Sequence, residues 1–589
     1  MKQDLPVWDL SDLYSDPNSK KIEEDIFKLK KMVNQFEKKY KKKITKLNAK
    51  GILNLIYDYE NISKSMGRLS AYAGLRYYQF TSDPERGKFL AKIDEQIKGN
   101  STKLVFFSLE INKISKNKIN LFFKQDKTLE KYKSAFNRMR ALKPFQLNDD
   151  MERFLNDKSV VGSSAWNRLF DETMAELKFK VDNHDLGLEE VLNNMSSEKR
   201  DLREKSAKSL AGELAKNIKL FSRITNTLIK EKAIEDNWRK FPSPDFSRHL
   251  SNDVEPQVVN ALKNSVINSY PQISHRYYKL KAKILKIKKL EIWDRNAPLY
   301  KHKEKFINWD KASNIVLEAF YDFDPLFKKI ALPFFKNNWI DAKVTKGKAP
   351  GAFSHPTSTD VHPYIMLNYL GKSRDVMTLA HELGHGIHQT LASRQGEILS
   401  NTPLTLAETA SVFGEMLTFR KMISNCKNEI EAKQLLARKI EDMLNTLVRQ
   451  ISFYDFECRV HDARKSNELL PSEINKIWLD ISKESLGNNF NYMKGYETFW
   501  AYIPHFIHSP FYVYAYAFGD ALVNALFDEY QNGKKGFEEK YINMLKAGGS
   551  KHHSELLEPF NLNANSPEFW QKGINLISKM IDDLEQAET

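Results

Sequence analysis

The residues best suited to chemistry lie in the stretch "TLAHELGHGIHQT", residues 378–390. His381 and His385 are four residues apart, so on a helix they lie one turn apart on the same side, where two imidazoles can bind one tetrahedral Zn²⁺. Glu382 points about 100° away from His381 and can reach a water on such an ion. This is the HExxH arrangement, in which the glutamate is the general base. The spacing therefore predicts a zinc site rather than structural histidines.

The third ligand decides the class of metal site. A histidine six residues after His385 would be typical of metzincins, but Leu391 occupies that position. A glutamate on a following helix is the other solution, and the candidates are Glu397, Glu408 and Glu415. Small residues that would allow close helix packing surround Glu408: Ala407, Thr409, Ala410 and Ser411. Glu408 is therefore the predicted ligand.

Two further polar residues lie near these ligands in sequence. Glu415 follows Glu408 by seven residues, nearly on the same helix face, so it could accept a hydrogen bond from the outer nitrogen of a ligand histidine, or be a surface glutamate. His388 lies about 10 Å along the helix axis from His381. That distance is too long for a shared ion, so His388 is predicted to support the ligands or to face the substrate.

One helix must position the two histidines. Residues 374–396 form the predicted helix, with Ser373 as its N-cap and Gly396 near its end. Its apolar face comprises Val376, Leu379, Leu383 and Ile387. Gly384 and Gly386 each cost about 1 kcal/mol in a helix interior. We expect another part of the chain to approach closely at these glycines.

A small β-sheet is predicted immediately before this helix, between residues 341 and 370. Turn residues occur in 343–354, and "VHPYIMLNYL", residues 361–370, is rich in strand-forming residues. Pro363 lacks an amide hydrogen, which favours an edge position for that strand. An extended peptide could pair with such an edge.

The rest of the chain is predominantly helical in pattern. Apolar residues recur with helical period over 19–118, 197–236 and 256–288, whereas residues 177–192 indicate a short strand before the next helix. We predict a mainly α fold with a helical scaffold lobe over 1–195 and a catalytic region over 196–589.

A second group of polar aromatic residues lies in "YIPHFIHSPFYVYAYAFGDAL", residues 502–522. It is either aromatic core or a source of hydrogen-bond donors, because neutral histidine and tyrosine side chains can stabilise the oxyanion of a tetrahedral intermediate. Tyr512, Tyr514 and Tyr516 alternate, so on a helix only some of them can face one site.

Taken together, these stretches resemble oligoendopeptidase F of the thimet-oligopeptidase family of zinc metallopeptidases. The matching stretches are "WDLSDLY", "SAYAGLRYYQFTSDPE", "WDRNAPL", "PYIMLNYLGKSRDVMTLAHELGHGIHQ", "ETAS" and "IPHFIHSPFYVYAYAFG". The resemblance implies a two-lobed helical bowl around a deep channel with one zinc ion on its floor.

The resemblance also implies roles for individual residues. The zinc ligands would be His381, His385 and Glu408, with Glu382 as base. His505 and a tyrosine, with Tyr512 as first choice, would be the oxyanion donors. The glycine-rich stretch that many relatives carry after the matching histidine is replaced here by "SPFYVYAYA".

Composition limits the remaining possibilities. The 589 residues are 41% hydrophobic and 28% charged, with no apolar run long enough to span a membrane. The two cysteines and the absence of a signal-peptide pattern favour the cytoplasm. The formal charge of +15 is spread along helical segments, which argues against a nucleic-acid partner. No obligate protein partner is evident.

We therefore expect a zinc endopeptidase that cleaves internal bonds of short unstructured oligopeptides. An exopeptidase or dipeptidyl carboxypeptidase on the same scaffold is the alternative, although no residue identifies itself as the group that would bind a peptide terminus. A non-catalytic basic binding protein is the remote alternative.

Overall fold

The structure, a computed structural model, describes residues 5–300 and 305–588 and is mainly helical, as the sequence predicts. The chain forms two compact units, each built from three separate segments. Over the described residues, the first unit comprises 5–143, 305–425 and 529–562, and the second comprises 144–300, 426–528 and 563–588. Within the described chain, no helix is both long and apolar enough to cross a membrane. The predicted division at residue 195 concerns functional regions and stays a prediction.

The N-terminal segment of the first unit contains seven helices. They are α1 (Lys20–Tyr40), α2 (Ala49–Gln79), α3 (Pro84–Leu104), α4 (Phe106–Lys113), α5 (Lys116–Gln125), α6 (Lys127–Glu130) and α7 (Lys133–Ala141). The hydroxyl of Ser19 accepts from the backbone N–H of Lys21 and caps α1. Buried side chains recur at helical spacing along α1 and join one apolar core with those of α2.

The first segment of the second unit contains seven more helices and three short strands. The helices are α8 (Asp149–Lys158), α9 (Ser163–Glu176), α10 (Leu188–Asn194), α11 (Arg200–Arg239), α12 (Phe246–Ser251), α13 (Pro256–Asn268) and α14 (Arg276–Ile284). The strands are β1 (Phe179–Val181), β2 (His184–Leu186) and β3 (Leu290–Glu291). The antiparallel β1–β2 pair confirms the predicted strand in 177–192 and adds a second.

The middle segment of the first unit contains the predicted sheet and metal helix. Its helices are α15 (Trp309–Phe323), α16 (Pro325–Lys336), α17 (Ser373–Ala392), α18 (Leu404–Ala407) and α19 (Thr409–Ser424). Its strands are β4 (Ile340–Asp341), β5 (Phe353–His355) and β6 (Tyr364–Met366), in the order β4-β6-β5.

The predicted edge position of the strand after Pro363 is wrong. β6 is the central strand and pairs with β4 in parallel and with β5 in antiparallel orientation. Pro363 precedes the first residue of β6, so its missing N–H costs no ladder hydrogen bond. The edge strand that pairs antiparallel with β6 is β5.

The C-terminal half of the chain completes both units. The elements are α20 (Glu429–Leu444), α21 (Gln450–Arg464), α22 (Pro471–Leu486), β7 (Phe490–Asn491), α23 (His505–His508), α24 (Tyr514–Gln531), α25 (Phe537–Ala547), α26 (His553–Leu557) and α27 (Pro567–Ala587). A π-helical turn, Asn445–Arg449, joins α20 to α21, and β7 pairs in parallel with β3.

Candidate metal centre

Close packing of α17 on α19 explains the glycines of the metal helix. A Cβ atom on Gly384 would lie 2.4 Å from the carbonyl oxygen of Ala410, and one on Gly414 would lie 3.1 Å from that of Ala380. Gly384 thus opposes Ala410 and Gly414 opposes Ala380, so the two helices run antiparallel. Gly386 faces Phe334, with 2.9 Å between its ideal Cβ position and the ring. These contacts confirm the predicted close approach.

The ends of α17 differ slightly from the prediction. The helix begins at Ser373, and the N-cap position belongs to Lys372 rather than to Ser373. A carboxylate oxygen of Asp375 accepts from the backbone N–H groups of Leu370 and Lys372, at 2.8 and 3.0 Å, so this aspartate provides the cap. The regular helix ends at Ala392, and a 3₁₀ turn, Ser393–Gln395, continues it to Gly396.

Three side chains of the first unit converge as a metal site would require. The Nε2 atoms of His381 and His385 lie 3.2 Å apart, and each lies 3.4 Å from Oε2 of Glu408. An ion with tetrahedral bonds of about 2.1 Å separates its ligand atoms by about 3.4 Å. The triangle therefore has the size that a tetrahedral zinc ion needs, and the donor set of two imidazoles and a carboxylate suits zinc.

Glu408 lies at a one-residue break in the helical structure. It is the residue between α18 and α19, with φ −77° and ψ −1°. The hydroxyl of Ser411 donates to its Oε2 at 2.7 Å. Burial would raise the pKa of Glu408, but the hydrogen bond from His385 and the neighbouring imidazoles lower it to about 2. The carboxylate is therefore held ionised, as a metal ligand must be.

Glu415 contacts the outer nitrogen of His381, one of the candidate ligands. Its Oε1 lies 2.6 Å from Nδ1 of His381, the geometry expected of a carboxylate that orients a metal-binding imidazole. Burial alone would lower the pKa of His381, but Glu415 and the other nearby carboxylates raise it to about 9. The cluster thus favours positive charge at this point.

Glu382 is buried beside the three candidate ligands. Its side chain is 6% exposed, and no residue of the described chain hydrogen-bonds to it. Burial raises the pKa of Glu382, and the charges of His381 and His385 oppose that shift. A carboxylate with a raised pKa and no protein partner can exchange a proton with a bound water.

The remaining histidine of the helix supports the segment that carries Glu408. His388 is buried, and its ring hydrogen-bonds to the backbone of Ala407, while its Nε2 lies 3.4 Å from Oγ1 of Thr402. Burial lowers the pKa of His388 to about 4. Its contacts therefore hold the chain immediately before Glu408.

The other glutamate candidate has a different role. Oε1 of Glu397 accepts hydrogen bonds from the backbone N–H and the hydroxyl of Thr359, at 2.7 and 2.6 Å. Glu397 therefore holds the loop after β5 rather than completing the triangle. Glu397 and Thr359 line a cavity of about 350 Å³, and His385, His388 and Gln389 line the same cavity.

His505 and the three tyrosines lie in the second unit. Nε2 of His505 is 3.3 Å from the hydroxyl of Tyr516, and the rings of Tyr512 and Tyr516 are 5.3 Å apart. Tyr514 is fully buried, and its hydroxyl contacts His249 and Asn252. Tyr514 is therefore structural, whereas Tyr512 and Tyr516 both remain candidates, with Tyr516 38% exposed.

The sequence indicates Ser411 only as a small residue, and it does not indicate the contact of His388 with Ala407. Serine hydroxyls often hydrogen-bond to groups three or four residues earlier in the chain, which could have indicated the hydrogen bond of Ser411 to Glu408. The contact of His388 depends on how the segment before Glu408 folds back, so helix periodicity alone could not have predicted it.

The helical fold and an HExxH helix whose histidines meet a glutamate at the start of α19 are typical of metal-dependent peptidases. A family model for Peptidase family M3 matches residues 193–576, and an oligopeptidase F model matches residues 110–179. The chain belongs to Peptidase family M3.

Similar proteins agree with this assignment. The chain is 24% identical to oligopeptidase PepF of Bacillus subtilis over 98% of the chain and 87% of the relative, and 26% identical to an oligoendopeptidase F homolog of Lactococcus lactis over 98% and 97%. Oligoendopeptidase F from Enterococcus faecium has the same fold, with a TM-score of 0.70 at 19% identity over 96% and 99% of the two chains. A solved structure from Chlamydophila abortus gives 0.87 at 23% identity over 99% and 98%.

Proposed function

We propose that the protein is a zinc-dependent endopeptidase that hydrolyses internal bonds of short unstructured oligopeptides. The observation that carries this proposal is the triangle of His381, His385 and Glu408, whose edges of 3.2–3.4 Å match those around a tetrahedral ion. The buried Glu382 beside that triangle adds the base that hydrolysis requires. Oligoendopeptidase names among the relatives support the internal position of cleavage.

Each side chain has a defined task in this scheme. His381, His385 and Glu408 would hold a zinc ion, which would supply Lewis acidity to a peptide carbonyl and to a water molecule. Glu382 accepts a proton from the attacking water and returns it to the leaving amine. Glu415 fixes the ring orientation of His381, and Ser411 fixes the carboxylate of Glu408.

The oxyanion of the tetrahedral intermediate needs hydrogen-bond donors. We assign this role to His505 together with Tyr512, the first choice from the resemblance, and Tyr516 is the rival donor because it contacts His505. Burial lowers the pKa of His505, which favours the neutral imidazole. A neutral donor stabilises an oxyanion without binding the substrate's own carboxylate tightly.

The edge strand β5 is the proposed docking strand for the peptide. Gln389 of α17 accepts from the hydroxyl of Ser354 at 2.8 Å and donates to its carbonyl oxygen at 3.1 Å. These two bonds tie β5 directly to the metal helix. A peptide that adds to this edge as a strand would be extended, which suits unstructured substrates.

Metal analysis and peptide mapping together test the proposal. Purified protein should contain one zinc ion per chain, and peptides of 5 to 20 residues with both ends blocked should be cut at internal bonds in mass spectra. Glu382→Gln should retain zinc and lose at least a thousandfold in kcat. A zinc-free active protein, or a fully active Glu382→Gln variant, would overturn the mechanism.

The same assay separates the alternatives. An exopeptidase or dipeptidyl carboxypeptidase would shorten free peptides stepwise from one end and leave end-blocked peptides intact. A non-catalytic basic binding protein would bind peptides without cleaving them. We also expect the enzyme to act in the cytoplasm without nucleic acid, membrane or an obligate protein partner, which fractionation and size-exclusion chromatography of native extracts would test.

A further inference from the structure

A second cavity lies wholly within the second unit. Its volume is about 180 Å³, and its walls come from the start of the 3₁₀ turn after β3, from the π-helical turn Asn445–Arg449 and from α21 and α22. Single-turn π segments inside α-helices frequently mark functional sites. None of its described lining residues is a candidate metal ligand.

Two arginines line this cavity without a carboxylate partner. An Nη2 hydrogen of Arg295 donates to the side-chain oxygen of Asn445 at 2.6 Å, and Nη2 of Arg449 lies 3.4 Å from the hydroxyl of Tyr502. No described aspartate or glutamate forms an ion pair with either guanidinium, and the described lining includes no acidic residue. Burial and the nearby charge of Arg295 lower the pKa of Arg449. Two like charges in one partly buried space are costly unless an anion joins them.

Some residues that line the cavity also carry hydrogen-bond donors without a partner. The Nε atom of Arg449 and the indole Nε1 atoms of Trp293 and Trp478 are buried and lack any partner. Trp293 and Trp478 are 8% and 5% exposed, and both line the cavity. Buried donors in folded proteins are normally satisfied. Two guanidinium groups without a carboxylate partner, together with two lining indoles whose N–H groups are unsatisfied, favour a ligand rich in acceptors.

We propose that this cavity is a binding site for a small organic carboxylate, with Arg295 and Arg449 on the carboxylate group and aromatic rings around its apolar body. Guanidinium groups bind carboxylates through parallel N–H···O bonds. The rings of Phe453, Phe499 and Tyr496 supply the apolar walls. The absence of an acidic residue in the described lining disfavours ligands that also carry an ammonium group.

Size argues for a ligand of about ten non-hydrogen atoms. A dry cavity of about 150 Å³ is known to accept benzene, so 180 Å³ can accommodate a benzoate-sized anion. Inorganic phosphate shares the oxyanion chemistry but leaves the aromatic walls unused. Benzoate and phosphate are therefore the two probes. Tighter binding of benzoate indicates an organic carboxylate ligand, and tighter binding of phosphate indicates an inorganic anion.

Calorimetric titration of the full-length holoenzyme with sodium benzoate and with sodium phosphate tests the site. We expect benzoate to bind with one site per chain and at least tenfold more tightly than phosphate. Arg295→Met and Arg449→Met should each weaken benzoate binding at least tenfold. Arg449→Lys, which keeps the charge but loses the planar fork, should weaken it severalfold.

Matched variants keep this test decisive. Arg168→Met removes an exposed arginine of α9 that pairs with Glu172, and it should bind benzoate as the wild type does. If a methionine variant fails to fold, benzoate affinity is compared instead between the wild type and the variants Arg449→Lys and Trp293→Phe, which preserve the cavity walls. The proposal fails if benzoate does not bind at 10 mM, if phosphate binds more tightly, or if the folded arginine variants bind benzoate normally.

Discussion

At the scale of single residues, the hydrogen bond between Glu415 and His381 is the most informative contact of the metal centre. It fixes the tautomer and orientation of the imidazole, and partners of this kind are worth about 10–100-fold in metal affinity or activity. We expect Glu415→Gln to lower zinc affinity about tenfold, measured by competition with a chromogenic chelator.

The exposed Glu189→Gln is the matched control for this variant. It removes the same charge far along the sequence from every candidate ligand and should leave zinc affinity unchanged. Equal zinc affinity in Glu415→Gln and Glu189→Gln would show that Glu415 does not support the centre.

His461 gives a second prediction at the residue scale, concerning stability. It is buried against Phe511, with ring centroids 4.6 Å apart, and burial lowers its pKa to about 3. In the unfolded chain this histidine takes up a proton near pH 6.5, whereas in the folded chain it stays neutral at that pH. Its contribution to the free energy of unfolding is therefore fully present above pH 6.5 and decreases as the pH falls. Between pH 7 and pH 5 this residue should cost about 2 kcal/mol.

Urea unfolding at the two pH values measures this effect. His461→Gln should lose about 2 kcal/mol less than the wild type on going from pH 7 to pH 5. His184→Gln, at an exposed position of β2, should show the wild-type pH dependence. An unchanged pH dependence in His461→Gln would contradict the assigned cause.

Residue spacing predicted which side chains form the triangle because helix geometry is local. His381 and His385 follow from the helical repeat alone, and Glu408 follows from small neighbours that permit close packing. The choice among the tyrosines did not follow from the sequence, because the burial of Tyr514 depends on His249 and Asn252, more than 260 residues away in the chain. The paired arginines of the cavity were beyond prediction for the same reason.

At the scale of secondary-structure elements, the contact between α17 and α19 determines the site. Gly384→Ala would place a Cβ atom 2.4 Å from the carbonyl oxygen of Ala410, so the helices must separate. Overpacking of this kind costs about 1–3 kcal/mol. We expect a lower free energy of unfolding and weaker zinc binding, because Glu408 moves with the start of α19.

Gly212→Ala in α11 is the control, since a Cβ there meets no atom within 4 Å. It should stabilise the protein by up to about 1 kcal/mol through helix propensity and leave zinc affinity unchanged. Denaturant unfolding and zinc competition on both variants separate helix propensity from packing. Wild-type zinc affinity in Gly384→Ala would refute the dependence of the site on this contact.

The sheet shows why element order is harder to predict than element type. Strand-forming residues correctly indicated β6, but its central place depends on parallel pairing with β4, which lies 23 residues earlier at Ile340 and Asp341. A strand of three residues carries too little alternation to reveal which sides are paired. Pro363 was misleading because it stands just outside the strand.

At the scale of the whole molecule, the formal charge of +15 should influence which peptides are captured. Many surface lysines pair with acids one helical turn away, such as Lys208 with Glu204 and Lys476 with Asp480. Such exposed pairs contribute little to stability. After this pairing the protein still has an excess of positive charge. That excess attracts anionic ligands over a longer range than a single ion pair does.

Salt dependence of peptide hydrolysis tests this attraction. For a peptide with several glutamates, kcat/KM should fall about threefold or more between 20 and 200 mM NaCl, because the screening length falls to about 7 Å. A neutral peptide of equal length should change little, and a lysine-rich one should be cleaved better as salt rises. The effect should appear in KM rather than kcat, because long-range attraction acts before the bond is cleaved. Faster cleavage of the lysine-rich peptide at 20 mM NaCl would mean that local acidic groups, and not the net charge, select the substrate.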